Sequence, residues 1–280
     1  MIDSLAKLLL ANDLDPDSFT EAATGEAIFR GEVPAGRVMQ IWANLAKASR
    51  ETKYWPIIRG GPDDIYEQTE CDPASILANV PVGSIREILK PRMQERLLSF
   101  REMIPELPAS AAAAFSNIDD EMDMDQLAAA VDASGIYSFS GREQTGQAWP
   151  TELPNPSRVT MQTLKGRKGK PSVLLLIRVD HSYEVPAYLN FGGWNDCPAP
   201  ELQVAVLREW RSEYQARPAC ITGDVLECVV INRPQTEAQS MKLAAEQWIF
   251  CDDIVGQGTQ SVRKLAMEIW RSPNWFFWWD

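Results

Sequence analysis

The aromatic run WFFWWD near the end of the sequence restricts the fold more than any other segment. Successive side chains of a β-strand point to opposite faces of its sheet, so Trp275, Phe277 and Trp279 would share one face. Phe276 and Trp278 would share the other. Aromatic side chains contribute most to stability when they are buried. The pattern therefore predicts a central strand that is covered on both faces.

Hydrophobic periodicity divides the rest of the sequence into helices and strands. Apolar residues at helical spacing follow Pro34, whose fixed φ suits the first turn of a helix. Ser84 and Glu87 have the spacing of a capping box, and Thr236 and Gln239 repeat it. Runs of β-branched and aliphatic residues between turn signals predict strands. The predicted helices are 2–11, 34–46, one from 84 onward, 124–131, 200–214, 237–250 and 260–271, and the predicted strands are 27–30, 54–59, 159–164, 173–179, 219–222 and 225–231.

An acidic, proline-containing segment separates the two halves of the sequence. Residues 102–141 contain eight Asp and Glu residues and no Lys or Arg, and the polar stretch WPTELPNPS ends at Ser157. Such stretches are typical of domain boundaries. We predict an N-terminal α/β segment, residues 1–157, with a flexible acidic insert at about 102–157. Residues 158–280 would form a C-terminal α+β domain.

Together these elements predict an α+β protein with a mixed, mainly antiparallel sheet flanked by helices. A strand, a helix and a strand within 27–59 indicate a smaller N-terminal β-α-β segment, which either forms its own domain or extends the same sheet. The glycine-containing stretch KGRKGKP between 159–164 and 173–179 is typical of a hairpin. We therefore expect those two strands to pair antiparallel.

The charge balance narrows the class of partner. The sequence has 27 Lys and Arg residues against 39 Asp and Glu residues, a formal net charge of -12. Its average electrostatic field repels nucleic acids and anionic lipids. Neither a nucleic acid nor a membrane is therefore expected as a partner, whereas a basic protein is favoured.

Cysteine usage and hydropathy indicate a cytoplasmic protein. The five cysteines form an odd set without a CxxC pair, which is typical of free thiols in a reducing compartment. No apolar run approaches the roughly 18 residues that a membrane-spanning helix needs. The first residues include the acid Asp3 and no basic opening, which is unlike a signal peptide.

Four ordered phrases in the C-terminal third of the sequence carry a family resemblance. They are GGWNDCP at 192–198, TGDVLE at 222–227, FCDDIVGQG at 250–258 and the terminal WFFWWD. In this combination the sequence resembles the bacterial domain of unknown function that carries the number 4253, over about residues 170–280. The resemblance implies no activity, because that family has no assigned activity and offers no catalytic residues to carry over.

The same phrases supply the candidate binding residues. Their glycines and aspartates are typical of loops and element ends, where side chains can face a partner. Trp194 follows two glycines, and exposed aromatic residues dominate the binding energy of many interfaces. The candidate binding residues are Trp194, Asn195, Asp196, Asp224, Asp253 and Gln257.

Our first hypothesis is a non-enzymatic cytoplasmic protein-binding module, such as an inhibitor or immunity-type protein that neutralises a basic partner. It rests on the net charge of -12, the acidic insert and the lack of a catalytic motif with an established mechanism. One alternative is a metal-dependent hydrolase that uses Asp196, Asp224 and Asp253. Another is a small-molecule-binding domain whose pocket is floored by the GGWNDCP loop.

The residues favour ordinary structural roles over further chemistry. No spacing matches a known metal loop, and Asp commonly accepts backbone N–H bonds at turns, so no metal or cofactor is predicted. Cys197 and Cys251, with His181 as the one imidazole, would form a nucleophile pair only if the fold brought them within hydrogen-bond reach. The basic cluster at 165–170 would lie at the hairpin tip, where such charges protect a sheet edge.

Overall fold

The computed structural model of the protein shows an α+β architecture. No helix in its described part is both long and apolar enough to cross a bilayer. The described residues are 3–22, 28–34, 36–60, 71–119, 121–137, 149–150, 161–165, 170–270 and 272–280.

The centre of the fold is a seven-stranded sheet. Its strands are β1 (Thr20–Glu21), β2 (Ile28–Val33), β3 (Tyr54–Ile58), β4 (Ser172–Arg178), β5 (Arg217–Ile221), β6 (Val225–Val229) and β7 (Asn274–Trp278). They lie in the order β1-β2-β4-β3-β5-β6-β7. β3 and β5 pair parallel, and the other neighbouring pairs are antiparallel. The predicted α+β class, with a mixed and mainly antiparallel sheet, is confirmed.

Helices flank this sheet. They are α1 (Asp3–Leu10), α2 (Val38–Thr52), α3 (Pro73–Ala78), α4 (Ile85–Met103), α5 (Ala109–Ala113), α6 (Met124–Ser134), α7 (Gln162–Lys165), α8 (Val185–Leu189), α9 (Pro200–Glu213), α10 (Glu237–Phe250) and α11 (Val262–Ile269). The predicted capping box of Ser84 and Glu87 opens α4. Thr236 accepts a hydrogen bond from the Gln239 N–H at the start of α10. These side chains satisfy N–H groups that have no partner inside their own helix.

The N-terminal strands extend the sheet of the C-terminal region. β2, α2 and β3 follow one another in the predicted order, but β4 lies between the two strands and pairs antiparallel with both. Elements from both sides of the predicted boundary near Ser157 therefore build one sheet, which is one of the two arrangements that the sequence leaves open. Ser157 itself lies outside the described residues.

The predicted hairpin between 159–164 and 173–179 is wrong. Its first half contains α7, and β4 takes β2 and β3 as neighbours. The fully buried Glu227 on β6 accepts hydrogen bonds from the N–H groups of Gln162 and Thr163, at 2.7 and 2.8 Å. The first N–H groups of a helix have no partner inside the helix, and a carboxylate stabilises them. This contact favours a helix here over a strand that pairs with β4. Residues 151–160 and the hairpin tip at 166–169 lie outside the described residues.

The predicted central position of the aromatic strand is also wrong. β7 forms one edge of the sheet, where it pairs with β6. Trp275, Phe277 and Trp279 are buried, whereas Phe276 and Trp278 are half-exposed. An edge strand can be covered by helices on one face while its other face stays partly open, so the alternation of the side chains holds but the double burial does not.

The buried face of β7 packs into an aromatic core. The fully buried Trp210 on α9 stacks on Phe277, with ring centroids 5.4 Å apart. It also meets Phe250 of α10 and Trp275 of β7 edge to face, at 5.2 and 5.4 Å. Both ring geometries are favourable for aromatic pairs. α9 and α10 therefore cover the inner face of the strand.

Glu246 on α10 is a buried carboxylate, and few neighbouring groups offset the cost of removing its charge from water. Its side chain is 0% exposed and lies 3.4 Å from Arg86 Nε. Neither carboxylate oxygen accepts a well-formed hydrogen bond from a described residue. Burial raises the pKa of Glu246, and the charges of Arg86 and Lys242 offset only part of that rise. Arg86 has a second carboxylate partner in Asp125, with two N–O contacts of 2.9 Å.

We expect Glu246→Gln to raise the free energy of unfolding by about 1 kcal/mol at pH 8. A carboxyl whose pKa is raised by folding stabilises the folded state below its unfolded pKa, and that contribution is lost as the pH rises through the folded pKa. The Glu246→Gln variant has no carboxyl to ionise and does not lose this stability at high pH. The difference in the free energy of unfolding between the variant and the wild type should therefore shrink as the pH falls towards 4.5, the ordinary pKa of Glu. Urea unfolding across this pH range measures the effect.

The exposed Glu95 on α4 supplies the matched control. Glu95→Gln should leave the free energy of unfolding within about 0.5 kcal/mol of the wild type at each pH. A Glu246→Gln variant that is less stable than the wild type at pH 8, or equally altered at every pH, would contradict the burial argument.

Candidate functional site

Three candidate binding residues lie around the C-terminal end of β7. Asn195 Nδ2 donates to the carbonyl oxygen of Asp280 at 2.9 Å. Asp253 Oδ2 accepts from the Asp280 N–H at 3.0 Å, and its Oδ1 accepts from Gln257 Nε2 at 2.9 Å. The phrases that are far apart in the sequence thus meet at one end of the sheet.

Asp224 joins the same region from the turn between β5 and β6. Its Oδ2 accepts from Trp278 Nε1 at 3.1 Å, and its carbonyl oxygen accepts from the Trp279 N–H at 3.1 Å. Its Oδ1 accepts from Thr222 Oγ1 at 3.1 Å. We call Asn195, Asp224, Asp253 and Gln257 the β7-end cluster.

Asp196 points away from this cluster towards α4. Its carboxylate forms ion pairs with Arg92 and Arg96, each at 2.8 Å. Arg96 also pairs with Asp252 at 3.0 Å, and Asp252 accepts from Tyr137 Oη at 2.7 Å. Desolvation and the charge of Asp252 raise the pKa of Tyr137, so its hydroxyl stays protonated and donates to that carboxylate. The network ties the GGWNDCP loop and the start of the FCDDIVGQG phrase to α4.

Trp194 is a packing residue as much as a surface residue. It is half-buried, and its ring meets the fully buried Phe191 edge to face at 5.2 Å. Gly193, next to it, has a φ of 86° and donates its N–H to the carbonyl oxygens of Cys197 and Pro198. The glycine therefore supports a closed turn that holds the tryptophan against the core.

The three aspartates of the hydrolase alternative do not share a site. Asp196 pairs with arginines, while Asp224 and Asp253 accept hydrogen bonds from the end of β7. Among the described residues no three His, Cys, Asp or Glu side chains form a group that could hold a metal ion. Catalysis through a divalent ion requires carboxylates that converge on one position.

The cysteine and histidine candidates also lie apart. Gln203 Nε2 donates to Cys197 Sγ at 3.4 Å, and Cys251 Sγ donates to the Trp278 carbonyl oxygen at 3.0 Å. Burial raises the pKa of Cys251 to about 12. His181 instead stacks on Tyr183, with ring centroids 4.9 Å apart. Neutral, buried thiols without an adjacent base are poor nucleophiles.

A cleft of about 830 Å³ lies at the opposite end of β6 from Asp224. It is built by α2, the start of β3, the loop after β4, the end of α9, the start of β5 and the end of β6 with the residues that follow it. Small-molecule sites commonly measure about 300–1,000 Å³. We call it the basic cleft, because it is lined by the five cationic side chains of Lys47, Arg50, Lys53, Arg211 and Arg217.

The positive charge of the basic cleft is not neutralised within the described part of the chain. None of its five cations forms an ion pair with a described carboxylate. The pKa of Arg217 is lowered, first by desolvation and then by the charges of Arg211 and Arg50. The pKa of Arg211 is lowered by desolvation and by Arg50. The positive charges of these three arginines thus repel one another within the basic cleft.

The rest of the lining combines aromatic and aliphatic residues with the polar residues Ser49, Asp180, His181 and Ser182. Trp42 Nε1 donates to the Pro56 carbonyl oxygen at 2.9 Å, and Trp55 Nε1 donates to that of Pro218 at 2.8 Å. Both indole N–H groups are therefore used within the fold, which leaves carbon atoms to line the cleft. Ile231, with 51% of its surface exposed, adds an apolar wall.

Residues 173–280 match the family model described as Domain of unknown function (DUF4253). The match covers about two fifths of the chain, and over these residues the chain is similar to that family. The resemblance expected from the four phrases is confirmed. No curated protein matches the chain, and no solved structure matches it.

The basic cleft combines the DUF4253 region with the N-terminal part of the chain. Arg211 and Arg217 belong to the matched residues, whereas Lys47, Arg50 and Lys53 lie on or directly after α2, outside them. The β7-end cluster lies wholly inside the DUF4253 region. The cleft therefore depends on the shared sheet that joins the two parts.

The residues of the basic cleft are not among those that the sequence singles out. The small-molecule alternative predicts a pocket at the GGWNDCP loop, but none of the described residues that line the basic cleft belongs to that loop. One signal was available, because Lys47, Arg50 and Lys53 recur every three residues along the polar side of α2. Of the predicted basic cluster at 165–170, the side chain of Lys170 is described, and it is exposed.

Proposed function

We propose that the protein is a non-enzymatic binding protein for a small anionic molecule, which it holds in the basic cleft. The observation that supports the proposal is the charge of the lining, with five cationic side chains against the single carboxylate of Asp180 among the described residues. Like charges that face one cleft raise the local concentration of an anion.

The overall composition strengthens this argument. A chain with 39 Asp and Glu residues has many carboxylates with which it could pair the cations of a cleft. Arg86, Arg92 and Arg96 on α4 all have such partners. The five cleft residues have none in the described part, and their mutual repulsion disfavours the empty state. A bound anion would remove that repulsion.

Two anions test the proposal, pyrophosphate and citrate, titrated calorimetrically at an ionic strength of about 0.1 M. We expect the double variant Lys47→Glu/Arg50→Glu to weaken the binding of at least one of them by about tenfold or more. Both side chains are exposed on α2, so their replacement should leave the fold intact.

The matched control is Lys7→Glu/Lys90→Glu, which makes the same change in net charge at exposed helix positions outside the cleft. Its effect should stay below about threefold, because salt screens charges beyond about 10 Å. The proposal is overturned if neither anion binds the wild type, or if both double variants bind with equal affinity.

Binding of a basic protein remains a separate prediction, with the candidate binding residues Trp194, Asn195, Asp196, Asp224, Asp253 and Gln257. The expected cytoplasmic location and the inhibitor or immunity-type role remain predictions with it.

A further inference from the structure

The three arginines of the basic cleft are suited to a phosphoryl group. Arg50, Arg211 and Arg217 line the same cleft, and desolvation together with the charges of Arg211 and Arg50 lowers the pKa of Arg217. Arg217 Nε is buried without a hydrogen-bond partner in the described part, and its guanidinium carbon lies 5.9 Å from the centre of the Trp55 ring. A guanidinium offers paired N–H donors whose spacing matches phosphate oxygens, and a buried free donor gains most from such an acceptor.

The negative charge of Asp180 is unfavourable in a cleft that binds only inorganic anions. It is exposed, lines the same cleft and pairs with none of the five cations. A carboxylate there would repel the anion. It would be useful if the ligand also carried donors, and the neighbouring hydroxyl groups of a ribose are donors that Asp commonly binds.

The apolar wall indicates a third ligand group. Ile231 and Val229 line the cleft together with Ala43 and Ala46 of α2. Ile231 is among the few large hydrophobic residues of the described chain that are mostly exposed. A planar ring that packs against this wall would bury it.

We infer that the ligand of the basic cleft is a nucleoside phosphate. Its phosphates lie at Arg50, Arg211 and Arg217, its ribose hydroxyls at Asp180 and its base against Ile231. The inference rests on the proposed function, since both concern the same cleft. A volume of about 830 Å³ exceeds what a bare phosphate or pyrophosphate would fill and suits a ligand with these three parts.

Calorimetric titrations of ADP, pyrophosphate and adenosine test the inference. For the wild type we expect ADP to bind about tenfold tighter than pyrophosphate, and adenosine to bind weakest. Asp180→Asn should tighten pyrophosphate binding, because a repulsive charge is removed, but weaken ADP binding, because the hydroxyl acceptor is impaired. Ile231→Ser should weaken ADP binding about fivefold and leave pyrophosphate unchanged.

The outcomes separate this inference from the proposed function. If pyrophosphate binds the wild type and ADP binds no tighter, the nucleoside assignment is overturned while anion binding stands. If Asp180→Asn tightens both ligands equally, Asp180 contacts no hydroxyl group and the assignment is again overturned. If neither pyrophosphate nor citrate binds, the proposed function and the inference fall together. Asp180 and Ile231 are both exposed, so these variants should fold like the wild type.

Discussion

Replacing Trp210 by alanine should lower the free energy of unfolding by about 3–5 kcal/mol. The side chain is fully buried and touches rings from two other elements, Phe250 of α10 and Trp275 and Phe277 of β7. Its removal forfeits the burial of a large apolar surface and leaves a cavity between the helices and the sheet edge. Urea unfolding followed by circular dichroism measures the loss.

Two further variants test whether the lost stability comes from the cavity at position 210 or whether any apolar truncation in the helices has a similar effect. Trp210→Phe keeps a ring in the same place and should lose less than half as much stability as Trp210→Ala. Leu98→Ala removes an apolar side chain that is 56% exposed on α4, and it should change the free energy of unfolding by less than about 1 kcal/mol. An alanine variant at 210 that unfolds like the wild type would show that Trp210 is not central to this core.

The longer helices could be predicted because their signals are local. α10 runs from Glu237 to Phe250, as its cap at Thr236 and its apolar spacing predict. α9 ends one residue before the predicted end at 214. Caps and periodicity involve residues within one or two turns of each other, so they can be read without knowing the rest of the fold.

The order of the strands depends on distant pairings, which is why the sequence misplaced several of them. β4 enters between β2 and β3 more than a hundred residues after the latter strand, and nothing in its own sequence specifies those neighbours. The aromatic alternation of β7 correctly grouped Trp275 and Phe277 on a buried face. Alternation does not distinguish a central strand from an edge strand that is covered on one side.

The two candidate sites also differ in how far they could be predicted from the sequence. The residues around the end of β7 could be selected because each stands in a phrase rich in turn residues, and the fold brings Asn195 and Asp253 to the same residue, Asp280. The basic cleft could not be assembled beforehand. Arg211 and Arg217 have no unusual local sequence, and they join the cations of α2 only through the sheet that both parts share.

Removing Arg96 should be the most costly change in the network on α4. Arg96→Ala leaves Asp252 and Asp196 without a guanidinium that bridges them at 3.0 and 2.8 Å. Loss of one partner from a buried ion pair costs about 3–5 kcal/mol. We expect a loss of about 2–3 kcal/mol in the free energy of unfolding, because Asp252 keeps the hydroxyl of Tyr137 as a donor and Asp196 keeps Arg92.

A double-mutant cycle with Asp252→Asn tests whether the loss comes from this ion pair. If the charge of Asp252 destabilises the fold only when Arg96 is absent, the two substitutions are not additive. The double variant should then lose at least about 1 kcal/mol less free energy of unfolding than the sum of the losses of the two single variants. Lys90→Ala, at an exposed position of the same helix, should cost less than about 0.5 kcal/mol and controls for helix propensity. Additive losses at positions 96 and 252 would mean that Arg96 stabilises the fold through its contact with the Trp248 ring, 5.9 Å away, and not by neutralising Asp252.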